Sequence, residues 1–459
     1  MTMKPTPLPS SDWPARSLAS VWHPCTQMQQ ALHQPPVSIA RAQGAWLYPH
    51  QGPRLLDAVS SWWTNLLGHS HPVLVQALKQ QLDQLDHVML AGLTHEPVVE
   101  LSECLARLTG LGHAFYASDG ASSVEIALKM SMHSWRNRGL PHKHQFVALT
   151  GGYHGESAGA LGVTDIPLFR EAYAPLVRPA MTVPCPDPRQ RPPHLDAEAW
   201  LAHCVAQLQA CFEQHAGSLA ALILEPLVQG AAGMAMYPAE YLRQVRRLCD
   251  EHDVHWIADE IAVGFGRTGR RFAYEHAEVK PDLVCLSKGL TGGMLPLAAV
   301  LCTDAIYEAF LDDQTVRGFL HSHSYTGNPL ACRAALATQS LLDDAFIAQL
   351  EPRAQAFHAQ WSPLWEDPRV ENVRRCGFIW AMDVRTDHPK FSRDFHAAAL
   401  AQGLLLRPIG RTLYWMPPYV LDEEAAQHLL TGVTRVMDQL LPHASHAATA
   451  AGGLEPGLA

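Results

Sequence analysis

Two charged residues stand where a chain of this kind can use them for chemistry. In HWIADEIAVGFGRTGRRFAYEHAEVKPDLVCLSK, residues 255–288, one apolar run (254–258) ends on Asp259 and a second (283–286) leads to Lys288. Each run is short enough to be a buried strand of a parallel sheet. Open α/β sheets bind ligands beyond the carboxyl ends of their strands, so the carboxylate and the amine would face one crevice. A lysine amine can form a Schiff base with an aldehyde cofactor, and a carboxylate can hold a pyridine nitrogen protonated so that the ring withdraws electrons. The pair therefore describes a pyridoxal phosphate site. The plainer reading makes Asp259 a turn cap and Lys288 a solvated lysine. Against it, Lys288 is followed by Gly289 and by Thr291-Gly292-Gly293, and no other charge follows Asp282 in its strand. That is a backbone-permissive turn and not an exposed helix face.

Other elements must complete such a site. A short strand at 114–116 leads into SDGASSVEIALKM, where Gly120, Ala121, Ser122 and Ser123 open an amphipathic helix. The free NH groups of a helix start can hold a phosphate. Ser122 with Glu125 also fits a capping box, which would satisfy the same helix end without a ligand. A strand at 146–149 ends in GGYHGESAG, where the ring of Tyr153 could lie flat on a heterocycle or simply pack. A strand at 222–224 delivers Glu225, a third charged residue at a strand end. Trp62 and Trp63 are adjacent in SSWW, and cannot both face one core from a strand, so one borders a pocket or interface.

The remaining pattern is a framework. Strands are expected at 45–48, 54–59, 297–302 and 373–384, and helices at 72–85, 97–108, 200–215, 240–252 and 394–402. Residues 182–196 read as a Pro-rich loop, and HSHSYTGNPLACRAA (321–335) as a Ser-rich loop joined to a helix. Residues 1–12 are expected to be loose until Trp13, and 443–459 to be a disordered tail. At 459 residues the chain exceeds one ordinary core. The division expected is 1–70 as the first part of a small domain, 71–344 as a large cofactor-binding domain, and 345–442 as the rest of a compact α+β small domain.

Composition narrows the function. With 34 basic against 44 acidic residues the formal charge is −10, which disfavours nucleic acid or an anionic membrane as partner. Ten cysteines without a CxxC read as buried small hydrophobes in a reducing compartment. Of 26 histidines, the close sets His69 with His71 and His321 with His323 lack a third ligand at usual spacing, so no metal is expected. No signal-type start and no run of 18 apolar residues is present in the sequence, and a cytoplasmic protein is expected.

ADEIAVGFGRTG, with the lysine of LSKGLTGG 29 residues after its aspartate (259 to 288), resembles the signature of class III aminotransferases, pyridoxal phosphate enzymes of fold type I. The likeness runs from VWHPCTQM (21–28) to YWMPPY. It implies an α/β fold, a mostly parallel sheet in a large domain with a smaller α+β domain. It also implies Lys288 as the Schiff-base lysine and Asp259 as the pyridinium partner, with Gly120, Ala121 and Ser122 at the phosphate. Tyr153 would stack on the ring, and Ser324 would reach the phosphate from the second subunit of a homodimer. WHPxTQM, SSWW, GGYHG and RPIG with YWMPPY resemble a biotin-pathway branch of that family. This branch moves an amino group from S-adenosylmethionine to 8-amino-7-oxononanoate by a ping-pong route. Trp62, Trp63, Tyr153, Ser322, Arg407 and Tyr414 would then shape the substrate pocket. Three residues depart from that branch: Cys25 stands for a commoner Tyr, Ala121 for Ser, and Ser324 for Thr. Other class III specificities, for ω-amino acids or diamines or with lysine as donor, are the competing expectation.

Overall fold

The structure, a computed structural model, describes residues 11–215 and 217–441. The expected tail at 443–459 and most of the expected loose start lie outside those residues. Asp12 is described, and it is not loose: its carboxylate caps a helix, Trp13–Ser20.

The strands in chain order are β1 (Ile39–Gln43), β2 (Trp46–Pro49), β3 (Leu55–Asp57), β4 (His113–Ala117), β5 (Gln145–Leu149), β6 (Met181–Val183) and β7 (Leu219–Leu224). A two-residue pair follows, β8 (Val228–Gln229) with β9 (Ala235–Met236), and then β10 (His255–Asp259), β11 (Leu283–Leu286) and β12 (Ala298–Cys302). The last four are β13 (Val370–Cys376), β14 (Ile379–Val384), β15 (Leu404–Leu405) and β16 (Thr412–Trp415).

Seven of these form the central sheet, in the order β4-β12-β11-β10-β7-β5-β6. Every residue of β7, β10, β11 and β12 is buried. This is why their sequences read as unbroken apolar runs: a strand covered on both faces has no side on which to alternate. All pairings are parallel except those of β12, which runs against both β11 and β4. Six strands therefore present their carboxyl ends along one edge, and β12 alone points away.

Helices cover the sheet where the sequence gives them starts. Proline in the first turn opens Pro72–Leu82, Glu96–Thr109 and Pro329–Leu341, where its missing NH costs nothing. The Pro-rich segment after 181 is not wholly loop, since 181–183 adds the edge strand β6 to β5.

The first strands do not join this sheet. β1, β2 and β3 pair with β15 from near the chain's end, Leu56 opposite Leu404. β13, β14 and β16 form a separate three-stranded sheet. The single strand expected at 373–384 is in fact a hairpin, because Gly377 takes φ 53° and turns the chain between β13 and β14. A four-tryptophan cluster fills this region: Trp361 lies 5.0 Å from Trp380 and 5.5 Å from Trp415, and Trp365 stacks on Trp415 at 5.4 Å. The helix Glu423–Leu440, which the pattern reading did not pick out, starts on the Asp422 carboxylate. No helix among the described residues is long and apolar enough to cross a membrane.

Candidate active site

Three neighbouring strands of the sheet, β7, β10 and β11, release Glu225, Asp259 and Lys288 at their carboxyl ends. The crevice predicted from two strand ends thus holds three ionisable groups, all supplied by one parallel register. Asp259 is almost fully buried, and its carboxylate is held from two sides: Oδ1 accepts from the Ile261 amide at 3.1 Å, and Oδ2 lies 2.7 Å from Nδ1 of His154. Burial pushes the Lys288 amine below its ordinary value, while Asp259 and Glu225 oppose that shift without cancelling it. A depressed amine carries more free base near neutral pH, the form needed to attack a carbonyl or take a proton. Lys288 itself has φ 41°, a left-handed backbone that a lysine adopts at some cost.

Trp63 closes one side of the amine. Its ring centroid is 4.5 Å from the Lys288 Nζ, its Nε1 donates to the Tyr414 hydroxyl at 3.3 Å, and only 6% of it is exposed. The ring reaches this place because residue 230 has no side chain: a Cβ there would sit 2.8 Å from the Trp63 ring. Trp62 faces outward with 45% exposure, and the Arg407 guanidinium lies 5.2 Å from its ring centroid. The adjacent tryptophans do divide between interior and mouth, though not as strand neighbours. Ser60, Ser61, Trp62 and Trp63 all have positive φ, between 45° and 71°. Asp57 holds this left-handed turn by accepting from the Ser61 amide and hydroxyl, and Arg267 donates to the Ser60 hydroxyl.

At the other end of the crevice the helix Gly120–Asn137 begins. Its cap is Asp119, and the capping box that competes with a phosphate for this helix end does not form: the Asp119 carboxylate takes both the amide and the hydroxyl of Ser122. Glu125 turns instead to the Ser157 hydroxyl and the Gly159 amide. The amides of Gly120 and Ala121 remain directed out of the helix start, as an anion site requires. Gly155 packs so close to Ala121 that a Cβ on it would lie 2.5 Å from that methyl group.

Tyr153 stands beyond the carboxyl end of β5. Its amide donates to Glu225 and its hydroxyl to Glu156, and its ring is 5.3 Å from Phe169. Ser322 and Ser324 are exposed on the loop before the Pro329–Leu341 helix, so the single chain does not fold them into the crevice. Cys25 is also exposed, and lines with Trp62 and Arg407 a cavity of about 1010 Å³ between the 23–37 segment and residues 386–411. Its thiol is pushed up by partial burial and by Glu156, against the pull of Arg407.

Two residues of the site carried no assigned role in the sequence reading. Glu225 accepts from the Tyr153 and Gly230 amides, so one carboxyl ties the two loops that flank Lys288. Burial and the nearby Asp259 push it up to about 7, against the pull of His154. His154 is fully buried and orients Asp259, yet it was visible only as a letter in GGYHG. Its signal was a polar residue set among small ones at a strand end, where no surface is available to solvate it.

These residues fit pyridoxal phosphate by the chemistry of their donors. A depressed amine, a buried carboxylate fixed by an imidazole, and open helix-start amides lie along one sheet edge and offer partners for the cofactor's aldehyde, ring nitrogen and phosphate. Fold and site together define a pyridoxal phosphate-dependent transaminase of fold type I. Residues 27–437 match the aminotransferase class-III family. The chain is 40% identical over 434 residues to the adenosylmethionine-8-amino-7-oxononanoate aminotransferase of Helicobacter pylori, covering 93% of this chain and 98% of that one. The crystal structure of the enzyme of the same name from Methanocaldococcus jannaschii superposes with a TM-score of 0.86 at 34% identity, over 93% of this chain and 98% of that one. An amine transaminase from an uncultivated Pseudomonas species, solved in its PLP-bound form, gives 0.87 at 30% identity, over 92% and 98%. The chain belongs to the class III aminotransferase family, and its cofactor is pyridoxal phosphate.

Proposed function

We propose that this protein transfers the amino group of S-adenosylmethionine to 8-amino-7-oxononanoate, giving 7,8-diaminononanoate in biotin biosynthesis. The observation that carries the reading is the mouth of the crevice. There Arg407 stands over one face of Trp62, within reach of Cys25 and outside the Trp63 that covers Lys288. Aromatic faces attract a sulfonium cation and pack against adenine, and a guanidinium holds a carboxylate through two hydrogen bonds. One entrance thereby suits both an adenosyl sulfonium and a long amino-oxo acid. The Helicobacter pylori enzyme, whose name states this donor and acceptor, supports the reading along almost its whole length.

The cofactor, when bound, supplies an aldehyde that carries the amino group and a ring that withdraws electrons. The chain does the rest. The Lys288 amine, neutralised in part by burial, takes the proton from the substrate carbon and returns it, being the base at that strand end. Asp259, fixed by His154 and the Ile261 amide, keeps a negative charge at the ring nitrogen's place. Trp63 excludes water from the amine's open side. Gly120 and Ala121 hold the phosphate. The protein works in the cytoplasm as a homodimer, in which the exposed Ser322 and Ser324 serve the partner's site. Residues 71–344 form the cofactor-binding unit, and the segments on either side of it form the substrate-facing one.

A single-turnover panel tests the donor. S-adenosylmethionine, lysine, alanine, ornithine and 4-aminobutyrate are each mixed with the cofactor-loaded enzyme while its visible band is followed. S-adenosylmethionine should discharge the band and 8-amino-7-oxononanoate should restore it. Discharge by lysine in its place keeps the pathway and changes the donor, an outcome to which the small Cys25 side chain lends room. Discharge by 4-aminobutyrate or ornithine alone would remove the biotin assignment.

Arg407→Ala should raise the Michaelis constant for the oxo acid by roughly ten- to a hundredfold, the weight of a hydrogen bond to a charged group. The donor half-reaction should stay nearly intact. Equal damage to both halves in single-turnover measurements would make Arg407 a structural residue and not a carboxylate receptor.

A further inference from the structure

Three buried polar atoms around the GGYHG turn have no hydrogen-bond partner among the described residues: Nε2 of His154, and both the nitrogen and the oxygen of the Gln229 carboxamide. Neither side chain reaches solvent, His154 being 2% and Gln229 1% exposed. A carboxamide left unpaired in the interior costs more than the apolar side chain of the same size that could replace it, so a buried Gln229 calls for a partner.

The backbone brings the two side chains to one place. Glu225 accepts from the Tyr153 amide and from the Gly230 amide, each at 3.0 Å, so a single carboxyl pins together the chain neighbours of His154 and of Gln229. Beside both stands Gly152. A Cβ built on it would lie 3.3 Å from His154 Nε2, 3.4 Å from Gln229 Nε2 and 3.1 Å from the Leu149 carbonyl oxygen, so three polar atoms converge on the face this glycine leaves bare. Gly152 is not among the residues with positive φ, and space, not backbone freedom, accounts for it. A water at that face would find the roughly two to four polar partners that a buried water needs.

The other side of the imidazole decides what this contact does. Nδ1 of His154 lies 2.7 Å from Asp259 Oδ2, and a carboxylate only accepts, so the proton between them belongs to Nδ1. The neutral ring then offers a lone pair at Nε2, and a donor there holds that tautomer. Without one, the proton can move to Nε2 and leave two acceptors facing each other at Asp259.

We propose that Gln229 is a positioning residue: its carboxamide donates to His154 Nε2 through one water at the bare face of Gly152, and so keeps the His154 proton on Nδ1, turned to Asp259. The contact itself is independent of the cofactor. Its consequence for turnover rests on Asp259 as the partner of the cofactor's ring nitrogen.

The test reads the ring directly. Full-length apoprotein is isotope-labelled in its histidine ring nitrogens and followed by nitrogen NMR, with the His154 signal identified by its loss in His154→Asn and its shift in Asp259→Asn. Wild type should show Nδ1 protonated and Nε2 not. Gln229→Leu, close in size and without a donor, should move the proton toward Nε2 and, in the loaded enzyme, lower turnover by roughly three- to tenfold, the weight of one hydrogen bond. In a His154→Asn background the same substitution should change turnover no further, because Gln229 acts only through the imidazole. The same tautomer in wild type and Gln229→Leu, or a loss of turnover undiminished in the His154→Asn background, would overturn the assignment. A tautomer that moves while turnover holds would keep the contact and overturn instead the role of the Asp259 charge.

Discussion

Lys288→Ala should fold, bind the cofactor without a covalent link, and lose at least about 10⁴-fold in turnover, the upper end of what a positioned acid–base group contributes. The loss is expected to be this large because nothing else in the crevice can stand in for the amine. Its nearest ionisable neighbours, Asp259 and Glu225, are carboxyl groups already committed, the first to His154 and the Ile261 amide and the second to two backbone amides. Folding should survive, since alanine meets the same left-handed backbone at residue 288 without a buried amine to desolvate. Borohydride reduction of the loaded wild type, followed by peptide mapping, should find the label on Lys288. The assignment would be contradicted by a label on any other lysine. It would be contradicted equally by turnover in the alanine variant within about tenfold of wild type, a smaller loss than removal of a positioned acid–base group brings.

Asp259→Asn keeps the shape and removes the charge, and should lower turnover by about 10²- to 10³-fold, as removal of one preorganised electrostatic partner does elsewhere. The amide can still accept from Ile261 through its carbonyl, so the β10 end keeps its geometry. What is lost is the negative charge at the ring nitrogen, together with the charge-assisted contact to the His154 imidazole at 2.7 Å. The thermal midpoint should move little, because neutralising a buried carboxylate also relieves its desolvation. Turnover and melting are to be measured on the same preparation. Near wild-type turnover would show that the charge is not used, and a collapse of the midpoint would make Asp259 a structural group.

The sequence showed the site most clearly where chemistry and a strand end coincide. Asp259, Lys288 and Glu225 each terminate an apolar run, and a charge closing such a run has no reason to be there unless the edge of the sheet is used. The helix start at Gly120 was legible for the same reason. What stayed hidden depends on distances across the chain. The capping box at Ser122 and Glu125 satisfied the local rule, but a carboxylate one residue before the helix competes for the same amide and wins, leaving Glu125 for a turn more than thirty residues away. The role of His154 follows from its meeting with Asp259, 105 residues further on. The tryptophan pair divides as expected, yet it does so through a left-handed turn that no propensity favours and that Asp57 and Arg267 hold in place. The hairpin at β13 and β14 was missed because β13 carries Glu371, Asn372, Arg374 and Arg375 and does not read as a strand of its own, and the single Gly377 is the whole of its turn signal.

The reversed strand β12 has a consequence for the order in which the molecule can assemble. Because it runs against its neighbours, the chain leaves it at the edge of the sheet opposite Lys288, at Cys302 beside His113. To come back, the following segment retraces the Gly120–Asn137 helix from its far end: Arg317 exchanges hydrogen bonds with Asn137, His321 meets Lys129, and His323 meets Ser118. The last of these contacts joins residues 205 positions apart. Closure cost grows only slowly with loop length, and the sheet itself already needs a contact of nearly the same span, His113 with Cys302 in the β4–β12 pairing. Once that pairing is made, the return of residues 303–323 along the helix is a short local closure, so in a refolding chain the far edge of the sheet and the wall beside Ser118 would arrive together, and neither would exist without the other.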